Sequence, residues 1–143
     1  MATITERKFR ISSVIENLSE YGMAEGEAEK TEIVPDGFLK SDGEEIEITY
    51  SEQTEGGRVD SEILIYPEAV SVVRRGAVVS NMRFEEGLLH KSLYEVVPYS
   101  FDTEVFTKKI RNSMTAEGGR LDIFYTMKIG GQNKKVRMKI ECL

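Results

Sequence analysis

The sequence predicts an all-β protein: an up-and-down antiparallel meander closed into a barrel of about 8–10 strands. Three observations predict the meander and its closure. Apolar residues alternate by two along most of the chain, as half-buried strands require. Turn residues recur between these runs, at Ser41-Asp42-Gly43, Gly56-Gly57, Glu86-Gly87, Pro98-Tyr99-Ser100, Gly118-Gly119 and Gly130-Gly131. The connections are short, so successive strands pair antiparallel, and a sheet this wide would expose two long edges unless it curled and closed.

Each run can be justified in order. FRISSVIENLSEYG (9–22) carries two patterns: Ile11, Val14, Ile15 and Leu18 fit a helical face, while Phe9, Ile11 and Ile15 fit strand alternation. Ser12, Ser13 and the β-branched residues weigh against a helix. Strand is therefore preferred over 9–18, with a short helix across a barrel end as the alternative. EGEAEKTE (25–32) and SDGEEIE (41–47) hold much of the acidic charge and read as solvated strand faces.

IEITYSE (46–52) places Ile46, Ile48 and Tyr50 on one side and Glu47, Thr49 and Ser51 on the other. The stretch 58–84 supplies three β-branched runs, divided at Pro67-Glu68-Ala69 and at Arg75-Gly76. Its second half reads as a hairpin with strands at 70–75 and 78–84. FTKKIRNSM (106–114) admits a turn or two of helix. RLDIFYTMKI (120–129) then aligns Leu121, Ile123, Tyr125, Met127 and Ile129, and VRMKIEC (136–142) aligns Val136, Met138, Ile140 and Cys142.

Composition narrows the function classes. A chain of 143 residues suits one domain, residues 1–143, that needs no metal or disulfide to fold. The single cysteine, Cys142, has no partner for a disulfide framework, which implies a reducing, cytoplasmic setting. MATITERKFR lacks the apolar core of a signal peptide, and no apolar run is long enough for a membrane helix, so no membrane partner is expected. A formal charge of −6 argues against nucleic acid, whose phosphates require a basic field.

The order of short elements also carries a resemblance. ITYSE (48–52), Arg74-x-Gly76, Met82-x-Phe84, SLYE (92–95), EVFT (104–107) and EGGRLDIFYTMKI (117–129) together resemble the YwiB-like family of small bacterial proteins of unknown function. The likeness runs from about Lys8 to the C-terminus. One departure is Pro98-Tyr99-Ser100, where that family's pattern has a Tyr-Gly turn. The resemblance implies a calycin-like barrel and the strand reading of residues 9–18. It implies no activity.

Catalytic motifs are scarce. His90 is the only histidine and lies far in sequence from Cys142, so a transition-metal site would need scattered carboxylates, and none is expected. His90 reads as a residue of a strand surface or rim. There is no Gly-x-Ser-x-Gly elbow, phosphate loop or calcium loop, and the abundance of acids singles out no catalytic pair. No cofactor is implied. Without a distinguishable acid, base or nucleophile, an enzyme is the weaker reading.

Arg74 and the tyrosines carry the remaining signal. Arg74 follows Val70 and Val72 at spacing two, so if those valines point inward Arg74 enters the barrel near one end, and Arg75 points out. A buried guanidinium must meet a carboxylate, carbonyls or an anionic ligand. Two readings follow: a bolt that bridges strand ends, preferred on the sequence, or an anchor for an acidic ligand. In the second, Tyr50, Tyr94, Tyr125 and Thr107 are the neighbours, with Tyr66 a further candidate.

Two function classes stand. One is a binding barrel for a small, partly apolar or acidic molecule. The other is a protein-interaction or self-assembly module, a homodimer for example, with a filled barrel and an apolar patch at VVPYSF (96–101), Phe106 and Phe124.

Overall fold

The computed structural model describes residues 2–143. Its strands, numbered in chain order, are β1 (Thr3–Leu18), β2 (Ala24–Ile33), β3 (Asp36–Asp42), β4 (Glu45–Thr54), β5 (Gly57–Ile65) and β6 (Val70–Gly76). They continue as β7 (Val78–Phe84), β8 (Leu89–Val96), β9 (Tyr99–Asn112), β10 (Arg120–Ile129) and β11 (Gln132–Cys142). Among the described residues there is no helix long and apolar enough to cross a membrane.

From β3 to β11 each strand pairs antiparallel with the next, and β11 returns to β1. That last ladder runs from Phe9↔Cys142 to Leu18↔Asn133 and closes ten strands into a barrel. The eleventh, β2, lies outside the closure. It pairs with the second half of β1, Ile11–Leu18, while β3 pairs with the first half, Thr3–Lys8. β2 and β3 thus follow one another along a single edge of β1, parted at Val34-Pro35. Proline cannot donate to a ladder, so a strand that meets one must break or bend. The expected meander holds from β3 onward, and its start is this shared edge.

The two ambiguous segments are both strands. Residues 9–18 belong to β1, as alternation and the family resemblance implied. FTKKIRNSM is strand through Asn112 rather than helix. An irregularity explains its misleading period: Tyr125 pairs with Thr107 but Phe124 with Lys109, which leaves Lys108 extra. Val105 and Thr107 face inward, and after that bulge Ile110 does so opposite Ile123. A step of three between inward residues imitates a helical turn.

Alternation fills one half of the barrel. Ile48, Ile63, Ile65, Val70, Val72, Phe84, Val105, Leu121, Ile123 and Ile140 are almost wholly buried, and Phe9 and Leu39 join them. Fully burying each such side chain is worth roughly 1.5–3 kcal/mol. Nearer the end that carries the β4–β5, β6–β7, β8–β9 and β10–β11 turns, several inward residues keep partial exposure, among them Ile15, Asn17, Glu52, Tyr94, Met127 and Lys134, alongside the buried Val59 and Thr103. The barrel core is thus hydrocarbon at one end and mixed polar and apolar toward the other.

Two joints in the wall are unusual. A β-carbon on Gly37 would collide with the Thr49 carbonyl oxygen, so β3 can approach β4 there only because the residue is glycine. The β7–β8 ladder is short, with only Val78, Val79 and Ser80 paired, to Val96, Glu95 and Tyr94. Beyond Ser80 the two strands separate.

Phe9 is fully buried where β1 meets β11. Phe9→Ala should cost about 3–5 kcal/mol in urea denaturation, whereas Tyr21→Ala, at a position 83% exposed, should stay within roughly 0.5 kcal/mol of the parent.

Candidate binding site at the barrel mouth

One row of side chains crosses five strands. By ladder register Tyr50 lies opposite Ser61, Ser61 opposite Arg74, Arg74 opposite Ser80, and Ser80 opposite Tyr94. Tyr50, Ser61, Arg74 and Ser80 each sit two residues from a core position of their strand, Ile48, Ile63, Val72 and Met82, and Tyr94 joins them by pairing with Ser80, so the row faces the lumen. Thr107 and Tyr125 form a facing pair on β9 and β10, also buried. The register sets Tyr50, Arg74 and Tyr94 in one row, Tyr125 is close enough to act on Arg74, and Thr107 stands beside Tyr125.

Tyr66 does not join them. It lies in the β5–β6 turn, where its backbone N–H donates to the Ala69 carbonyl, at the opposite end of the barrel. Two residues that the sequence reading did not select do belong. Ser61 and Ser80 are 3% and 4% exposed and stand on either side of Arg74. Their positions between Val59 and Ile63, and between Val78 and Met82, carry the same period-two signal that placed the arginine.

The polar atoms of this row are short of partners. Arg74 Nε, Ser61 Oγ, Ser80 Oγ and Thr107 Oγ1 are all shielded from solvent and without a hydrogen-bond partner. Among the described residues Arg74 also enters no ion pair, while Arg75 points outward and lies 3.3 Å from Glu62. A bolt between strand ends needs a carboxylate or carbonyl to hold; among the described residues no carboxylate lies within ion-pair distance of Arg74, although Glu52 is near enough to act on its charge. A buried hydroxyl without a partner costs roughly 1–3 kcal/mol, and an uncompensated guanidinium more.

The electrostatics favour a charged arginine nevertheless. Burial opposes the charge, but the Coulombic pull of Tyr50, Tyr94 and Tyr125 once their phenols are ionised, together with that of the Glu52 carboxylate, outweighs it, and Arg74 is held above its ordinary range. Burial pushes the Tyr125 hydroxyl up to about 12, with Arg74 pulling the other way. Its ring packs against Phe84 at 4.7 Å between centroids, tilted by 54°. The row is thus a set of donors, one charged and the others neutral hydroxyls.

Other parts of the surface offer less. Among the described residues no group of three or more His, Cys, Asp or Glu side chains is placed to hold a metal ion. His90 is part-buried on β8 with Nε2 3.1 Å from Glu85 Oε1. Hollows of about 560 and 390 Å³ lie at the β5–β6 and β7–β8 turns and outside β3–β5, and neither has Arg74 in its wall. The apolar turn between β8 and β9 is open, with Val97 and Tyr99 65% and 68% exposed. Phe124 is instead covered by the guanidinia of Arg111 and Arg137, 5.7 and 5.1 Å from the ring centroid.

Comparison with known proteins agrees with this architecture. A family model described as "Domain of unknown function (DUF1934)" matches residues 17–141. The uncharacterized beta-barrel protein YwiB of Bacillus subtilis is 27% identical over 124 residues, 87% of this chain and 82% of that protein. The crystal structure of ywiB protein from Bacillus subtilis superposes with a TM-score of 0.81 at 26% identity, covering 98% of this chain and 93% of that one.

The raised Tyr125 value has a measurable sign. Its neutral form is favoured in the fold, so that contribution is full below the ordinary value of 10 and is lost as pH rises from about 10 to about 12. Between those limits the parent should lose on the order of 2–3 kcal/mol more stability than Tyr125→Phe, read by urea denaturation at each pH.

Proposed function

The chain belongs to the DUF1934 family, described as a domain of unknown function, and from that premise we propose that it is a binding barrel whose polar end takes the anionic group of a small, partly apolar molecule on Arg74. One observation carries the reading: a buried guanidinium whose Nε lacks a hydrogen-bond partner, with Glu52 as the carboxylate that acts on it and the unpartnered hydroxyls of Ser61 and Ser80 on either side. An anion with two oxygens satisfies that set. The planar fork of an arginine binds such a group through parallel N–H donors, and Ser61 and Ser80 flank it with hydroxyls.

Tyr50, Tyr94 and Tyr125 present ring faces and hydroxyls to the remainder of the ligand, and Thr107 completes the wall. Ile15 and Met127 offer apolar surface toward the mouth. The closed barrel is compatible with the same reading, since small closed barrels either fill with side chains or hold one ligand. We place the activity in the reducing cytoplasm, where Cys142 stays a free thiol.

A second reading rests on the β8–β9 turn. Val96, Val97, Tyr99 and Phe101 are exposed there and form an apolar surface for a second copy of the chain or another protein. A strictly monomeric species in light scattering across the micromolar range would remove self-association.

Native mass spectrometry of the protein purified from its own host tests the first reading. The parent should retain a small molecule that Arg74→Ala loses, with the fold intact by circular dichroism. Equal retention by Arg74→Ala would remove Arg74 from the site.

A further inference from the structure

The outer face of β9, β10, β11 and β1 is basic, on a chain whose net charge is −6. Ladder register sets Val14 opposite Arg137, Arg137 opposite Phe124 and Phe124 opposite Lys109, all on the side away from the core residues Val136, Ile123 and Tyr125. The neighbouring rows bring Lys139, Asp122 and Arg111 together on one flank, and Glu16, Lys135 and Thr126 on the other. The bulge in β9 adds to this. Buried Thr107 precedes it and inward Ile110 follows, so Lys108 and Lys109 are both exposed where unbroken alternation would have turned one of them inward.

Most acids on this face are already paired. Asp122 lies 3.0 Å from Arg120 Nε and 3.5 Å from Arg137 Nη2, and Glu141 is shared by Arg10 and Lys139. Among the described residues Lys108, Lys109, Arg111 and Lys135 enter no ion pair, which leaves the face with uncompensated positive charge. Within it lies a hollow of about 280 Å³, walled by Val14, Glu16, Lys108, Phe124, Lys135 and Arg137. Val14 and Phe124 are half-buried and give it an apolar floor, and the guanidinia of Arg111 and Arg137 brace the Phe124 ring.

The hollow is small for a ligand pocket and has room for one apolar side chain. Lys109 and Arg111 lie beyond its wall, so a molecule confined to it would leave them unanswered, whereas a segment laid across the strands meets them as well. A long polyanion such as a nucleic acid is disfavoured, because the rest of the chain is strongly negative and repels it.

We propose that this face docks an acidic segment of another protein, with one apolar side chain of the segment in the hollow over Val14 and Phe124 and its carboxylates on Lys108, Lys109, Arg111 and Lys135. The apolar anchor supplies position and the surrounding charge supplies selectivity, as in other protein interfaces. This docking face is on the outside of the barrel, apart from Arg74 and the lumen, and neither site depends on the other.

The test uses three fluorescein-labelled peptides, EEEFEEE, EEEAEEE and QQQFQQQ, with binding to the intact protein followed by fluorescence polarisation. EEEFEEE should bind about tenfold or more tighter than QQQFQQQ and about fivefold tighter than EEEAEEE, and about 0.5 M salt should erase the first difference. The doubly substituted Lys108→Gln, Lys135→Gln variant should bind EEEFEEE about fivefold more weakly. Glu16→Gln, which removes the acid from the wall, should tighten binding, and Lys40→Gln, on the outer face of β3, should leave it unchanged. Lys108, Lys135 and Lys40 are exposed, so these variants should keep the fold by circular dichroism. Equal affinity for EEEFEEE and EEEAEEE would remove the hollow as an anchor and overturn the proposal. A thymidine oligonucleotide of equal charge that binds tighter than EEEFEEE, or a failure of all three peptides to bind, would overturn it as well.

Discussion

The ladder between β1 and β11 is the constraint on which the rest of the structure depends. An antiparallel sheet of ten strands has two free edges, each a row of unpaired N–H and C=O groups, and only closure removes both. β1 accomplishes it by serving three neighbours, with β3 on its first half, β2 on its second, and β11 across the opposite edge. Closure converts alternation along each strand into an inside and an outside. Without a lumen, Ile48, Ile63, Val72 and Met82 would have no common core, and Arg74 would be an ordinary surface arginine.

Closure also explains why the polar row lies where it does. Ladder register ties the depth of a side chain to that of its neighbours, so Tyr50, Ser61, Arg74, Ser80 and Tyr94 come to one level although they span 45 positions of sequence. Below that level the space is taken by branched aliphatic side chains and Phe84; above it the inward positions hold Asn17, Glu52 and Lys134 together with the buried Val59 and Thr103. The chemistry of the mouth is thus set by where each strand changes from apolar to polar at its inward positions. The edge that closure leaves, on β2, is protected differently: its glutamates keep the unpaired strand in water.

Much of this was legible in the sequence because period-two patterns report faces directly. The β-barrel, the strand at residues 9–18, the opposite directions of Arg74 and Arg75 and the inward placement of Tyr50 and Tyr125 all follow from alternation. What was not legible depended on register between strands, which no local pattern encodes. Ser61 and Ser80 became significant only once β5 and β7 were aligned on either side of Arg74. Tyr66 failed as a neighbour because a turn residue at the opposite end lies far along the barrel axis. The bulge at Lys108 broke the phase of β9 and gave one stretch of strand the spacing of a helix. That Glu52 is the carboxylate that acts on Arg74, without forming an ion pair with it, could be seen only with all strands in place.

The short β7–β8 ladder gives the wall a place to breathe. Ser80 and Tyr94 are its innermost pair, and past them the strands part, so this seam has the fewest hydrogen bonds to lose in a local opening. Both residues also belong to the polar row. A molecule held between them would act as a rivet across the seam, making hydrogen exchange of the β7 and β8 amides a gauge of occupancy remote from the ligand's own signal.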